Sequence, residues 1–142
     1  MSDTVSFDIA DRILAIARQI RHADADANPP ITSLESSVMR YIDRNPGASA
    51  KAAAEASLLT SSNFSRALRS LETKGFIRRE TDPTDARSIR LYPTRKAADN
   101  LVALHERWGA LLDGALPAST AAQVADALAD LEAALAARAG KA

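Results

Sequence analysis

Six stretches of the chain place apolar side chains at helical spacing, and two short ones alternate with period two. In residues 5–22, Phe7, Ile9, Ile13, Leu14, Ile16, Ala17 and Ile20 form a stripe wider than a two-layer contact needs, which predicts a helix with surface left over for a partner chain. Residues 23–30, ADADANPP, break the pattern and read as a linker. Thr32 and Glu35 stand at capping-box spacing and open a helix through Leu34, Val38, Met39, Tyr41 and Ile42, stopped by Asn45-Pro46-Gly47. An alanine-rich helix over 49–57 follows, its small side chains permitting close helix–helix approach. Leu58 and Leu59 cross a short turn to Thr60, whose hydroxyl can cap the next helix. There Phe64, Ala67, Leu68 and Leu71 make one apolar face, and Gly75, able to take positive φ, ends the helix.

After Gly75 the period falls to two. Residues 76–80 read as a strand, and in Ser88–Tyr92 the alternation sets Ile89 and Leu91 on one side and Arg90 on the other. Thr81–Arg87 lie between, with Asp82-Pro83 and Asp85 supplying turn chemistry, which puts Arg87 at or near the tip of a β-hairpin. Two short helices joined by a tight turn form a helix-turn-helix, and a hairpin that follows one is a wing. Pro93 ends the second strand and Thr94 can cap a helix over 95–113 carrying Leu101, Val102, Leu104, Trp108, Leu111 and Leu112. Gly114 and Pro117 punctuate. Ser119 or Thr120 is placed to cap a last helix running to 138, where Val124, Leu128, Leu131 and Leu135 step by four, three and four residues. So narrow a seam needs a partner surface, and the same helix of a second chain is one candidate. The pattern predicts a mainly α fold with a small β-hairpin wing.

Composition narrows the field. The chain of 142 residues suits one compact domain and is long enough to fold without staples. It has no cysteine, which excludes disulfides, thiolate metal sites and thiol-based redox sensing. Its apolar runs are too short to cross a bilayer, and the polar start MSDTVSFDIADR is no signal peptide, so the expectation is a cytoplasmic protein without a membrane partner. The formal net charge is zero, but its distribution is uneven. Residues 60–95 carry eight basic side chains against four acidic, net +4, while 1–59 and 96–142 are each net −2. A basic centre flanked by acidic ends is the footprint of one face meeting a polyanion.

The helix after Thr60 shows that face. Opposite its apolar side stand Ser61, Ser62, Asn63, Ser65, Arg66 and Arg69, with no acid before Glu72. Short hydroxyl and amide groups allow close approach, and two guanidinium groups can reach phosphates or a guanine edge; a helix lying in a DNA major groove needs both. The competing reading is a solvated polar face, and it is the wing that tips the balance toward DNA.

At this point the chain resembles the MarR family of winged helix-turn-helix transcription regulators. Ser62-Asn63-Phe64-Ser65-Arg66 is similar to the family's S-x-x-S-R recognition-helix pattern. Leu71-Glu72-Thr73-Lys74-Gly75 resembles its L-E-x-K-G exit, and Asp82-Pro83-Thr84-Asp85-Ala86-Arg87 its D-P-x-D-x-R wing signature. Two positions depart: Ala97 and Leu58 stand where the family often has glycine. The resemblance covers the whole chain as one domain, 1–142, with a DNA-binding lobe at 31–93 and dimerisation helices at 5–22 and 95–138. It implies a homodimer on a palindromic operator in double-stranded DNA, acting as a repressor that responds to a ligand.

On this reading Asn63 and Arg66 address base edges, and Ser61, Ser62 and Ser65 address phosphates, with Arg69 on the same face. The resemblance places Arg87 in the minor groove, with Asp85 pairing with a nearby arginine to aim it; the alternative is a turn-capping Asp85 and a solvated Arg87. Arg79 and Arg90 are candidate phosphate contacts. The family's small aromatic or phenolic effectors give His22, Tyr41, His105 and Trp108 a candidate pocket role, against plain packing for each. Two histidines and no cysteine make no metal site, and no cofactor is expected. No Gly-rich phosphate loop or nucleophile motif marks an enzyme. A winged helix that binds protein instead of DNA is the alternative, which would have no need of cations on both helix and wing.

Overall fold

The computed structural model describes residues 1–140. Six helices and three strands follow in the order α1 (Asp3–Ala23), α2 (Ser33–Arg44), β1 (Ala48–Ser49), α3 (Ala50–Ser57), α4 (Ser61–Thr73), β2 (Ile77–Asp82), β3 (Asp85–Pro93), α5 (Arg95–Leu112) and α6 (Ala118–Ala139). The chain divides into two compact units, Met1–Arg107 and a second beginning at Trp108.

The core of the first unit lies wholly between α2 and the start of α5. Val38, Met39, Ile42, Ala53, Phe64, Ala67, Leu68, Leu71, Phe76, Ile77, Leu91 and Ala97 form one buried cluster. Phe76, Ile42, Leu71, Leu91 and Val38 are its largest fully buried side chains, each contributing about 1.5–3 kcal/mol by leaving water. Tyr41, Ile31, Leu59 and Ile89 close its edges. Three helix starts in the lobe are closed by side-chain caps. Thr32, Ser49 and Thr60 each accept a backbone N–H, from Glu35, Ala52 and Asn63 respectively, a cap worth about 1 kcal/mol. The capping box at Thr32 is only half made. The Glu35 side chain turns away into the core edge, where Lys74 Nζ donates to its Oε2 at 2.7 Å and Ser70 Oγ to its Oε1 at 3.3 Å.

α4 ends in a Schellman turn. Gly75 takes φ +82°; its N–H donates to the Glu72 carbonyl and that of Phe76 to the Leu71 carbonyl, each at 2.9 Å. The side chains of Phe76 and Leu71, both buried, supply the apolar contact of that motif.

The sheet is antiparallel in the order β1-β3-β2. β1 has only two residues, Ala48 opposite Leu91 and Ser49 opposite Arg90. A two-residue strand carries no alternation, so the sequence pattern showed only the hairpin. The hairpin is also longer than its apolar pattern, because Arg78 to Thr81 pair with Ile89 to Tyr92, and Asp82 with Asp85, through their backbones whatever their side chains. Pro83 and Thr84 alone form the tip.

In the second unit α6 starts at Ala118 with Pro117 at the cap position and no side-chain cap bond. The expected caps, Ser119 and Thr120, lie inside its first turn. α6 has no buried residue, and Val124, Leu128 and Leu135 are exposed. α1, in the first unit, likewise buries none.

Candidate nucleic-acid interface

α4 is held by one face and offers the other. Phe64, Ala67, Leu68 and Leu71 are buried, while Ser61, Ser62, Ser65, Arg66 and Arg69 are exposed and Asn63 is half-buried. Asn63 and the caps fix the start of the helix: the Asn63 N–H donates to Thr60 Oγ1 at 3.2 Å, and the Thr60 and Ser62 hydroxyls lie 3.4 Å apart. Glu72, the first acid on the helix, pairs with Arg79 of β2, so its charge is spent on the wing strand.

The wing is organised by Asp82 rather than by Asp85. Thr84 donates its N–H and its hydroxyl to Asp82 Oδ1, at 2.9 and 2.7 Å. The Arg90 guanidinium holds the other carboxylate oxygen, through Nε at 3.0 Å and Nη2 at 2.8 Å, and donates Nη1 to the Gly47 carbonyl at 2.8 Å. The Thr84 bonds, with Arg90 behind them, hold the Asp82 carboxyl below its ordinary value. Asp85 accepts the Arg87 backbone N–H at 3.0 Å. It therefore shapes the backbone under Arg87 instead of pairing with a guanidinium, as a turn-capping aspartate does.

Arg87 stands on a bulge. Thr81 opposes Ile89 and Asp82 opposes Asp85, so Ala86, Arg87 and Ser88 have no opposite residue in β2. A bulge bends the strand and aims the extra side chains away from the ladder. Arg87 is exposed.

The two other cations expected at phosphates are engaged inside the lobe. Arg90 ties the wing tip to the loop before β1, and Arg79 is paired with Glu72. Arg78 pairs with Glu80 and stacks over the Tyr92 ring at 4.7 Å. Asp82 was the wing residue least visible in the sequence, because a loop assigned to 81–87 hid the strand register that sets it beside Arg90.

A small cavity lies between the segment after α1, α2 and α5, lined by Asp24, Ile31, Ser36, Asn100, Leu104 and Arg107 among others. Its volume is about 40 Å³, room for a few waters. None of the four expected pocket residues lines it. His22 and His105 are exposed, Tyr41 packs on the lobe core, and Trp108 begins the second unit. Alternating exposed positions on long helices gave no signal of which side faces a cavity. Among the described residues no group of three or more His, Asp or Glu could hold a metal ion, and no helix is long and apolar enough to cross a membrane.

Residues 30–88 match the family model described as the MarR family. This segment belongs to the MarR family. It contains the helix-turn-helix and the wing through Arg87, the two parts just described. The MarR-type architecture extends over nearly the whole chain. The transcriptional regulator SlyA superposes with a TM-score of 0.73 at 23% identity, over 94% of this chain and 97% of that one. The transcriptional repressor CouR, bound to a 23-mer DNA duplex, superposes with a TM-score of 0.72 at 22% identity, over 89% and 91%. PcaV from Streptomyces coelicolor, in complex with its natural ligand, gives 0.64 at 19% identity over 89% and 91%. No curated protein matches the chain by sequence.

Proposed function

We propose that the chain is a sequence-specific DNA-binding transcription regulator, a cytoplasmic homodimeric repressor that reads a palindromic operator. The observation that carries this reading is the set of exposed cations, Arg66 and Arg69 on α4 and Arg87 on the wing bulge, on two elements of one lobe. Asp82 and Glu72 would otherwise weaken that field, and both are neutralised by Arg90 and Arg79. Asn63 and Arg66 serve as base readers, Ser61, Ser62, Ser65 and Arg69 as backbone contacts, and Arg87 enters the minor groove. Arg79 and Arg90 act from behind, shaping the wing and quenching acids. CouR, whose fold this chain shares, is a repressor bound to DNA.

Dimerisation is supported by α1, α5 and α6, which expose Phe7, Leu14, Ile16, Val102, Leu112, Val124 and Leu128. Two lobes in such a dimer would meet half-sites about one helical turn apart. A response to a small aromatic or phenolic ligand requires the cavity at Arg107 to open. At 40 Å³ it is far below the about 300–1,000 Å³ of small-molecule sites.

The test is selection of bound duplexes from a random-sequence pool by the purified protein at moderate salt. The expected result is enrichment of an inverted repeat whose affinity falls steeply with salt, because several phosphates are neutralised. A folded protein that enriches nothing would overturn the reading and favour a winged helix that binds protein.

A further inference from the structure

The lobe connects to the rest of the first unit by two covalent routes. One runs from α1 through residues 24–32 into α2, the other from β3 through Pro93 and Thr94 into α5. Both are fastened at the same place, the C-terminal end of α4. On the first route Lys74 Nζ donates to the Pro30 carbonyl at 2.7 Å and to Glu35 Oε2 at 2.7 Å. On the second, Lys96 Nζ donates to the Lys74 carbonyl at 2.7 Å, Thr94 Oγ1 to the Gly75 carbonyl at 2.6 Å, and the Thr94 N–H to the Phe76 carbonyl at 3.1 Å. The far ends of the two routes are joined in turn. Arg107 of α5 pairs with Asp24, which follows α1, at 3.1 Å.

Charge makes Lys74 the central member of this joint. Glu35 is buried and stands in the first turn of α2, where the helix dipole favours an anion; Lys74 caps α4, where it favours a cation. Lys74 and Ser70 both join α4 to Glu35, and of the two Lys74 brings the opposite charge. Its ammonium group also holds the one carbonyl, Pro30, that belongs to neither helix. A rotation of α4 relative to the segment after α1 breaks the Lys74–Pro30 bond, whose ammonium group the buried Glu35 carboxylate holds in place.

We infer that Lys74 and Glu35 are positioning residues for DNA reading: they fix the angle at which α4 is carried by α1 and α5, and so the half-site separation that a dimer accepts. This rests on the DNA-binding dimer proposed above. Lys74 and Glu35 touch no DNA in this account and act through α4.

The experiment uses the full chain and three duplexes: the selected inverted repeat, and the same half-sites with one base pair added or removed between them. The variant is Glu35→Gln with Lys74→Met, made together because Lys74→Met alone leaves a buried carboxylate without its cation. Wild type should prefer the selected spacing by about tenfold, within the usual range of coupling between sites. The paired variant should bind all three duplexes within about threefold of one another while keeping its affinity for the best of them. Melting temperature and mass in solution are read alongside. A variant that keeps the wild-type preference overturns the inference and leaves the DNA reading standing. A variant that loses affinity equally on all three, with a lowered melting temperature, makes the pair merely structural and also overturns it. A wild type that binds no inverted repeat, or binds all spacings alike, overturns the dimeric reading and this inference together.

Discussion

The winged lobe and the long helices at the ends of the chain treat their apolar side chains in opposite ways. In the lobe, Val38, Ile42, Leu71 and Leu91 are wholly buried and helix caps are made locally. On α1, Phe7 is 67% exposed and Leu14 60%, and neither α1 nor α6 buries a single residue. Isolated exposed apolar residues are ordinary, but a stripe of them along each of several helices marks a surface built to be covered. The lobe is complete in one chain; the helices at the ends are complete only with something against them, and a second copy is the partner proposed here.

The largest expected effect breaks the lobe. Leu71→Ala should lower the unfolding free energy by about 2–5 kcal/mol, measured by urea denaturation. Leu14→Ala should change the stability of a single chain by less than about 0.5 kcal/mol and instead raise the concentration at which a dimer forms. Equal losses of chain stability at the two sites would erase the contrast.

The next effect separates DNA contact from folding. Arg87→Ala should weaken operator binding by roughly tenfold to a hundredfold, with melting temperature and mass unchanged. Undiminished affinity in a titration would show that the wing does not enter the groove.

A smaller effect has the opposite sign. Leu58 ends α3 with φ 56° and is 73% exposed. Left-handed backbone strains a residue with a branched side chain, and little packing compensates here. Leu58→Gly should stabilise the lobe by about 1 kcal/mol in thermal unfolding. A loss of stability would mean that its side chain contributes more than the strain costs.

Acid should reach the wing last. The Asp82 carboxyl is held below its ordinary value by Thr84 and Arg90. A carboxyl whose pKa is lowered on folding stabilises the folded form at pH above its unfolded value, about 3.9, and that contribution is lost as pH falls through the folded value. Amide exchange at Thr84, whose N–H donates to that carboxylate, should therefore stay protected through the ordinary carboxylate range and rise only below it. In Asp82→Asn the protection should be weak at every pH.

The same contrast explains what could be read from the sequence. Caps, periods and turn residues act within a few positions. Thr60, the Phe64–Leu71 face, Gly75 and the Asp82–Asp85 turn therefore announced α4 and the hairpin directly. Features that depend on register or on distant chain were silent: the two-residue β1, the Asp82–Arg90 clip, and the Glu35–Lys74 pair 39 positions apart. Net charge by segment located the basic face but counted Arg79 and Arg90 as if they were free, which only the fold corrects. His22, Tyr41, His105 and Trp108 were linked by their chemistry alone, and none of them lines the cavity between the segment after α1, α2 and α5.

The most direct test is the mass of the full chain in solution by sedimentation equilibrium, alone and as the Leu128→Glu, Leu131→Glu double variant. The expected result is twice the 15.1 kDa chain mass for the wild type and a return toward the single-chain mass for the variant, with the lobe still folded by circular dichroism. A wild type that stays monomeric at concentrations where it is folded would contradict the claim that its end helices are made to be covered by a second copy.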